Sequence, residues 1–176
     1  MLRRGVRATY LALAAILLLA STTSTFAAPR GPSIVDVAIA VNSSGPYAGQ
    51  FDTLIAAVLA ADPAVLETLS GNGQFTVFAP TDDAFAQLGL TPDTIGAVPQ
   101  DALTEILLYH VVRGRRFAED VLASDRLRTL QGSFLEQSSG TLIDTLGRPA
   151  NIIVTDVAAS NGVIHAIDSV VLPFQP

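Results

Sequence analysis

The chain has 176 residues, enough for one ordinary domain and too few for two large ones. Hydrophobic residues make up 49% and charged residues 15%, a globular composition and not a disordered one. There is no cysteine, which excludes disulfides, zinc–thiolate sites and a cysteine nucleophile, and a net charge of −6 argues against a nucleic-acid binder.

Arg3, Arg4 and Arg7 precede an apolar run from Tyr10 to Ala20, and small residues follow up to Ala28-Pro29. This is the pattern of a secretory signal peptide, with an apolar run well short of the ~20 residues of a membrane span. Cleavage after Ala27 keeps Pro29 away from the scissile bond and puts Thr25 at the small −3 position. The sequence therefore predicts a leader over residues 1–27, a short tail over 28–32, one domain over 33–173 and a C-terminal tail over 174–176. Loss of the leader removes three arginines and takes the charge from −6 to −9. The mature chain is expected outside the cytoplasm, with no membrane span.

Ser33 is expected to cap a helix over Ile34–Ile39, and Asn42 to Pro46 reads as a loop that carries an Asn42-Ser43-Ser44 sequon. Phe51, Leu54, Ile55, Val58 and Leu59 recur at helical spacing as one apolar face. Asp62 and Pro63 start the next helix as cap and first residue, Val65, Leu66 and Leu69 face inward, and Gly71-Asn72-Gly73 stops it. Phe75 to Ala79 reads as a strand, buried either through Phe75 and Val77 or through Phe78. Thr81 caps a short helix with Asp82 and Asp83 in its first turn and Ala84, Phe85 and Leu88 inward. A helix from Pro99 to Leu108 carries Leu103, Ile106 and Leu107 inward, Tyr109 to Val112 looks extended, and Phe117 to Ala123 is a short helix.

From there the pattern turns to strands: around Leu127–Leu130, Phe134-Leu135, Leu142–Asp144, Ile152–Val157, Val163–Asp168 and Val170–Leu172. Asn161-Gly162 reads as a turn through its tolerance of positive φ. Helices crowd the first part and strands the last, which favours an α+β fold over a βαβ repeat.

Three segments carry a family resemblance. Phe75-Thr76-Val77-Phe78-Ala79-Pro80-Thr81-Asp82-Asp83-Ala84-Phe85 resembles the first signature box of the fasciclin-like domain. Asn161-Gly162-Val163-Ile164-His165-Ala166-Ile167-Asp168-Ser169-Val170-Val171-Leu172-Pro173 resembles the second. Leu107-Leu108-Tyr109-His110-Val111-Val112 resembles the Tyr-His segment between them. The resemblance implies a wedge with a β-sandwich-like core and helices around one side. It marks Phe75, Val77, Phe78, Pro80, Thr81, Phe85, Asn161, Gly162, His165 and Asp168 as structural signature residues. It implies a role in adhesion, with Tyr109 and His110 as partner-binding candidates. Arg113 stands where the family often has proline, which predicts a looser turn.

The chemistry-bearing residues each have a competing explanation. His165, Asp168 and Ser169 could suggest a hydrolase triad, but His165 and Asp168 fall on opposite strand faces and no Gly-x-Ser-x-Gly elbow exists. His110 and His165 match no dense metal-ligand spacing and are expected as buried, hydrogen-bonded histidines. Asp82-Asp83 is a helix start and not a calcium loop. Arg113, Arg115 and Arg116 form a basic spot: a solvated turn, or a contact for an anionic partner such as a polysaccharide. The function expected is a secreted, non-enzymatic protein of adhesion or of extracellular protein or polysaccharide interaction, without a cofactor. The alternative is a carrier of a small apolar ligand such as a carotenoid, whose apolar cleft the sequence does not locate.

Overall fold

Ser33 sets the start of the first helix in the computed structural model, which describes residues 31–174. The expected leader, its cleavage site and the residues up to Arg30 lie outside the described residues. Ser33 Oγ accepts the N–H of Asp36 at 3.3 Å while the Asp36 carboxylate accepts the N–H of Ser33 at 2.9 Å, a reciprocal cap that opens α1 (Ile34–Ser43). The helix runs past Ile39 and takes in Asn42, expected in a loop. Asn42 Oδ1 accepts the N–H of Phe51 at 2.8 Å and its Nδ2 donates to Asp52 at 2.7 Å, which ties the end of α1 to the start of α2 (Asp52–Ala60).

In α2, Phe51 and Leu54 are buried as expected, together with Thr53 and Ala57; Ile55 and Val58 are half-buried, and Leu59 is 71% exposed. Leu59 thus lies at the edge of the apolar stripe and not in the core. Asp62 caps α3 (Pro63–Ser70) by accepting the N–H of Ala64 at 2.8 Å, with Pro63 in the first turn.

All six residues of β1 (Phe75–Pro80) are buried. Both proposed burial modes therefore hold at once: Phe75, Val77 and Ala79 enter one core and Phe78 the other. Thr81 caps α4 (Asp82–Ala86), which ends early enough to leave Leu88 partly exposed instead of inward. A 3-10 turn at Ile95–Ala97 leads to α5 (Gln100–Tyr109). Tyr109 belongs to this helix and His110 to its C-cap, so only the end of the segment expected to be extended is a strand, β2 (Val111–Arg113). The Arg113 turn is closed by a 2.7 Å bond from the N–H of Gly114 to the carbonyl of Gln74, with Gly114 at φ 93°, and is not loose.

After α6 (Ala118–Leu122) come β3 (Arg126–Arg128), β4 (Phe134–Ser138), β5 (Thr141–Ile143), β6 (Pro149–Ala159) and β7 (Gly162–Ile167). The sheet order is β2-β1-β7-β6-β5-β4-β3, with β1 and β7 parallel and every other pair antiparallel. A bridge between Val112 and Thr129 brings the two edge strands together, and the N–H of Leu130 donates to the carbonyl of Val111 at 2.7 Å. The β-sandwich-like core is thus one curled, nearly closed mixed sheet, and the fold is α+β.

The curl creates two apolar interiors. One lies between the helices and the outer face of β1 and β7, with Phe75, Val77, Leu103, Leu107, Ile164 and Ala166. The other fills the curl, with Phe78, Tyr109, Val112, Leu127, Leu135, Leu142 and Ile167. Strands covered on both faces read as continuous apolar runs, which is the case for β1 and β7. Val170–Leu172 is buried but is not a strand, because its main chain bonds to side chains: Val171 N–H to His110 Nε2 at 3.3 Å and Leu172 N–H to the Asp144 carboxylate at 3.1 Å.

Candidate functional site

His165 sits midway along β7 with no exposed surface. Its ring stacks on Phe78 of the parallel neighbour β1, with centroids 5.6 Å apart and planes 26° from parallel. Nε2 donates to the carbonyl of Arg116 at 2.9 Å, and Nδ1 accepts the N–H of Asp156 at 3.2 Å. Those partners assign a neutral imidazole protonated at Nε2. Both nitrogens are occupied, so the ring has no free lone pair for a metal or a nucleophile.

Asp168 turns away from His165, as the alternation requires. Its carboxylate accepts the main-chain N–H and the side-chain Nδ2 of Asn151, each at 2.8 Å. The structure does not bring His165 and Asp168 together.

His110, also buried, donates from Nδ1 to the carbonyl of Ile106 at 2.7 Å and accepts the N–H of Val171 at Nε2. Burial pushes its pKa down to about 4. Tyr109 has no exposed surface; its hydroxyl donates to the carbonyl of Phe134 at 2.9 Å and accepts the N–H of Thr145 at 3.2 Å. Burial raises the Tyr109 phenol pKa. The two residues considered for partner contact are therefore interior braces that present no surface to a partner.

Asn161 is a hub. Its Oδ1 accepts the N–H of Ile34 at 2.8 Å, its Nδ2 donates to the carbonyls of Leu69 and Gly71 at 2.7 and 2.9 Å, and its carbonyl accepts the N–H of Phe75. One buried residue thus ties α1 and α3 through its side chain, and the start of β1 through its carbonyl, to the β6–β7 turn. Neither Asn161 nor Gly162 has positive φ. Glycine is required at 162 because a Cβ there would lie 2.1 Å from the Phe75 carbonyl oxygen.

The basic spot is placed differently from the sequence expectation. Arg115 turns its guanidinium onto the carbonyl of Ala159. Arg113 and Arg116 instead line an open concavity with Val112, Arg128, Thr129 and Leu130. Arg128 comes from β3, carried there by the Val112–Thr129 bridge. Sequence reading missed it because Arg128 lies on the other edge strand, beyond α6 from Arg113 and Arg116; the alternating Arg126-x-Arg128 in a strand segment was the available signal.

A second concavity is apolar. Val35, Ile39, Ile55, Val58, Leu59 and Leu66 line a groove among α1, α2 and α3 that encloses about 130 Å³. Ile39 and Leu59 stand exposed at its mouth. Among the described residues no cluster of three or more His, Asp or Glu side chains could hold a metal ion, and no single helix is long and apolar enough to cross a membrane.

Two further carboxylates have roles that the sequence does not announce. Asp82, expected to serve its own helix, accepts the N–H groups of Asp52 and Thr53 at 3.2 and 2.8 Å and so caps α2 from thirty residues away. Asp144 has a fully buried side chain paired with Arg148 through bonds of 2.9 and 2.6 Å, and it also accepts the N–H groups of Leu146, Arg148 and Leu172. Burial alone would raise the Asp144 pKa, but these donors outweigh it and the carboxyl titrates below its usual range.

The Fasciclin domain family matches residues 49–173. The chain belongs to the fasciclin-domain family. It is 44% identical over 128 residues to protein sll1483 of Synechocystis sp., covering 70% of this chain and 67% of that one. It is 31% identical over 152 residues to the cell surface glycolipoprotein MPB83 of Mycobacterium bovis, covering 82% of this chain and 66% of that one. Among solved structures, a FAS1 domain pair from the insect cell adhesion molecule Fasciclin I is similar, with a TM-score of 0.52 at 20% identity over 65% of this chain and 42% of that one. This likeness shows the fold. The fasciclin signature residues of this chain are the same ones that hold its sheet, helices and turns together.

Proposed function

We propose that the chain is an exported, non-enzymatic fasciclin-domain protein acting in cell adhesion or in extracellular interaction with a protein or polysaccharide. The observation that carries this reading is the use of the signature residues. His110, His165, Asn161 and Asp168 have their polar atoms engaged on the main chain or on Asn151, so recognition falls to the surface. Membership of the fasciclin-domain family and the cell-surface location named for MPB83 support the extracellular setting. On this reading residues 1–27 are removed and the working domain spans 33–173, with α1 included because Ile34 is bound by Asn161.

A carotenoid carrier draws less support. The apolar groove, at about 130 Å³, falls below the ~300 Å³ at which small-molecule pockets usually begin.

Deletion of the gene tests the reading, with attachment of cells to surfaces and the N-terminal sequence of the exported protein as readouts. Reduced attachment and a mature start at Ala28 are expected. Unchanged attachment together with no captured partner would overturn the function.

A further inference from the structure

Five of the six arginines among the described residues fall between positions 113 and 128. We propose that three of them, Arg113, Arg116 and Arg128, form a binding site for the acid groups of an anionic polysaccharide. This rests on the extracellular reading above and names the partner class.

All three arginines line one open concavity where the edge strands β2 and β3 meet. The single ion pair among the described residues is Arg148–Asp144, so none of the three has a carboxylate within ion-pair distance. In a chain whose charge is −9 without its leader, three arginines line one pocket whose lining holds no acidic residue. Arg116 adds a second observation. Its Nε–H is buried without a hydrogen-bond partner, while its main chain is fixed by Thr76 on one side and His165 on the other. An unmatched buried donor is uncommon and points to a missing acceptor. The planar fork of a guanidinium matches a carboxylate or a sulfate ester in a bidentate manner.

The charge continues beyond the pocket, which favours a repeating ligand over a single small anion. Arg126 lies two residues from Arg128 on the same exposed face of β3, about 7 Å along the strand. Its guanidinium covers the Phe134 ring at 4.7 Å. The row ends at Glu136, which is in register with Arg126. Because Arg126 occupies the ring face of Phe134, no free aromatic platform is left there for base stacking, which speaks against a single-stranded nucleic acid.

Titration calorimetry of the mature chain with polygalacturonate tests the site, with dextran, inorganic sulfate, phosphatidylglycerol vesicles and a single-stranded oligonucleotide as separate arms. Polygalacturonate should bind, more weakly as salt rises, and dextran should not. Arg113→Gln and Arg128→Gln should each weaken binding by about fivefold with an unchanged Tm, as loss of one charged contact implies. Arg115→Gln, outside the pocket, should bind like the unmodified chain. Both exposed variants keep the test valid if Arg116→Gln fails to fold. No binding to polygalacturonate, equal binding to dextran, undiminished binding by both pocket variants, or tighter binding to sulfate, vesicles or oligonucleotide would overturn the proposal. A deletion strain with reduced attachment combined with protein that ignores polygalacturonate would reject this site and leave the broader function standing.

Discussion

The main-chain N–H of Asp156 donates to Nδ1 of His165 at 3.2 Å, from an irregular stretch of β6 where the register with β7 shifts. Asp156 is there in the left-handed region, at φ 63°, and its carboxylate accepts the N–H of Ala118 at 2.8 Å at the start of α6. One residue thus couples a helix start to the signature histidine. Asp156→Gly loses the cap but suits the backbone, whereas Asp156→Ala loses the cap and adds left-handed strain of about 1–2 kcal/mol. Urea unfolding should rank the alanine variant below the glycine variant. The reverse order would show that the left-handed backbone at 156 is not held as described.

The stacked pair Phe78 and His165 is expected to dominate the interior of the curl. Phe78→Ala should cost ~3–5 kcal/mol, because the side chain is completely buried between β-strand neighbours. His165→Ala should cost about 2–4 kcal/mol, since it leaves the Arg116 carbonyl and the Asp156 N–H without partners. Equilibrium unfolding of the two variants checks this, and a loss below about 1 kcal/mol in either would contradict the packing.

At the β6–β7 turn, Gly162→Ala should be among the most damaging single changes in the chain. The added methyl meets the Phe75 carbonyl oxygen at 2.1 Å and the Ile34 side chain at 2.6 Å, at the first pair of the parallel β1–β7 pairing. A loss of more than about 3 kcal/mol, or failure to fold, is expected. Asn161→Ala should cost about 2–4 kcal/mol through its three lost side-chain bonds. Gly96→Ala is the matched control: its Cβ would meet open space, so the change should stay within about 0.5 kcal/mol. Melting temperatures of the three variants would decide, and a Gly162→Ala protein as stable as Gly96→Ala would refute the close approach.

The legible parts of this fold are those governed by local chemistry. Ser33, Asp62 and Thr81 cap the helices expected of them, because a cap is set within three residues. The opposite orientations of His165 and Asp168 followed from strand alternation alone. What stayed hidden depends on contacts between distant segments. Asp82 looks like the dipole partner of its own helix, yet it caps α2, and nothing local at 82 announces Asp52 and Thr53. Val170–Leu172 has the composition of a strand, but His110 and Asp144 take its N–H groups. The arginine pocket was half visible: Arg113 and Arg116 are neighbours in sequence, while Arg128 joins them only when the sheet curls shut.

Leu59 tests how far helical periodicity can be trusted. Spacing places it on the buried stripe of α2, yet it stands 71% exposed at the mouth of the apolar groove. Leu59→Gln should therefore change unfolding free energy by less than about 0.5 kcal/mol. Leu54→Ala, on the same helix but buried, should cost about 2–5 kcal/mol. Similar losses for both would mean that something covers the groove in solution.

Acid should weaken the fold in two steps. Burial holds the His110 pKa near 4 in the folded chain against about 6.5 when unfolded, so the unfolded state binds the extra proton in between. The stability that His110 contributes as a neutral group is complete above pH 6.5 and falls as the pH drops from 6.5 to 4. From the size of that shift, the loss is about 3 kcal/mol. Asp144 acts next: its pKa is lowered in the folded state, so its contribution is present above the usual carboxylate value near 3.8 and is lost as the pH falls further. Urea midpoints at pH 7, 5.5 and 4.5 should decline steadily in the unmodified chain. His110→Leu should lower stability at pH 7, where two main-chain bonds are lost, but flatten the decline between 6.5 and 4. An unchanged slope in that variant would assign the acid sensitivity to some group other than the buried imidazole beside Val171.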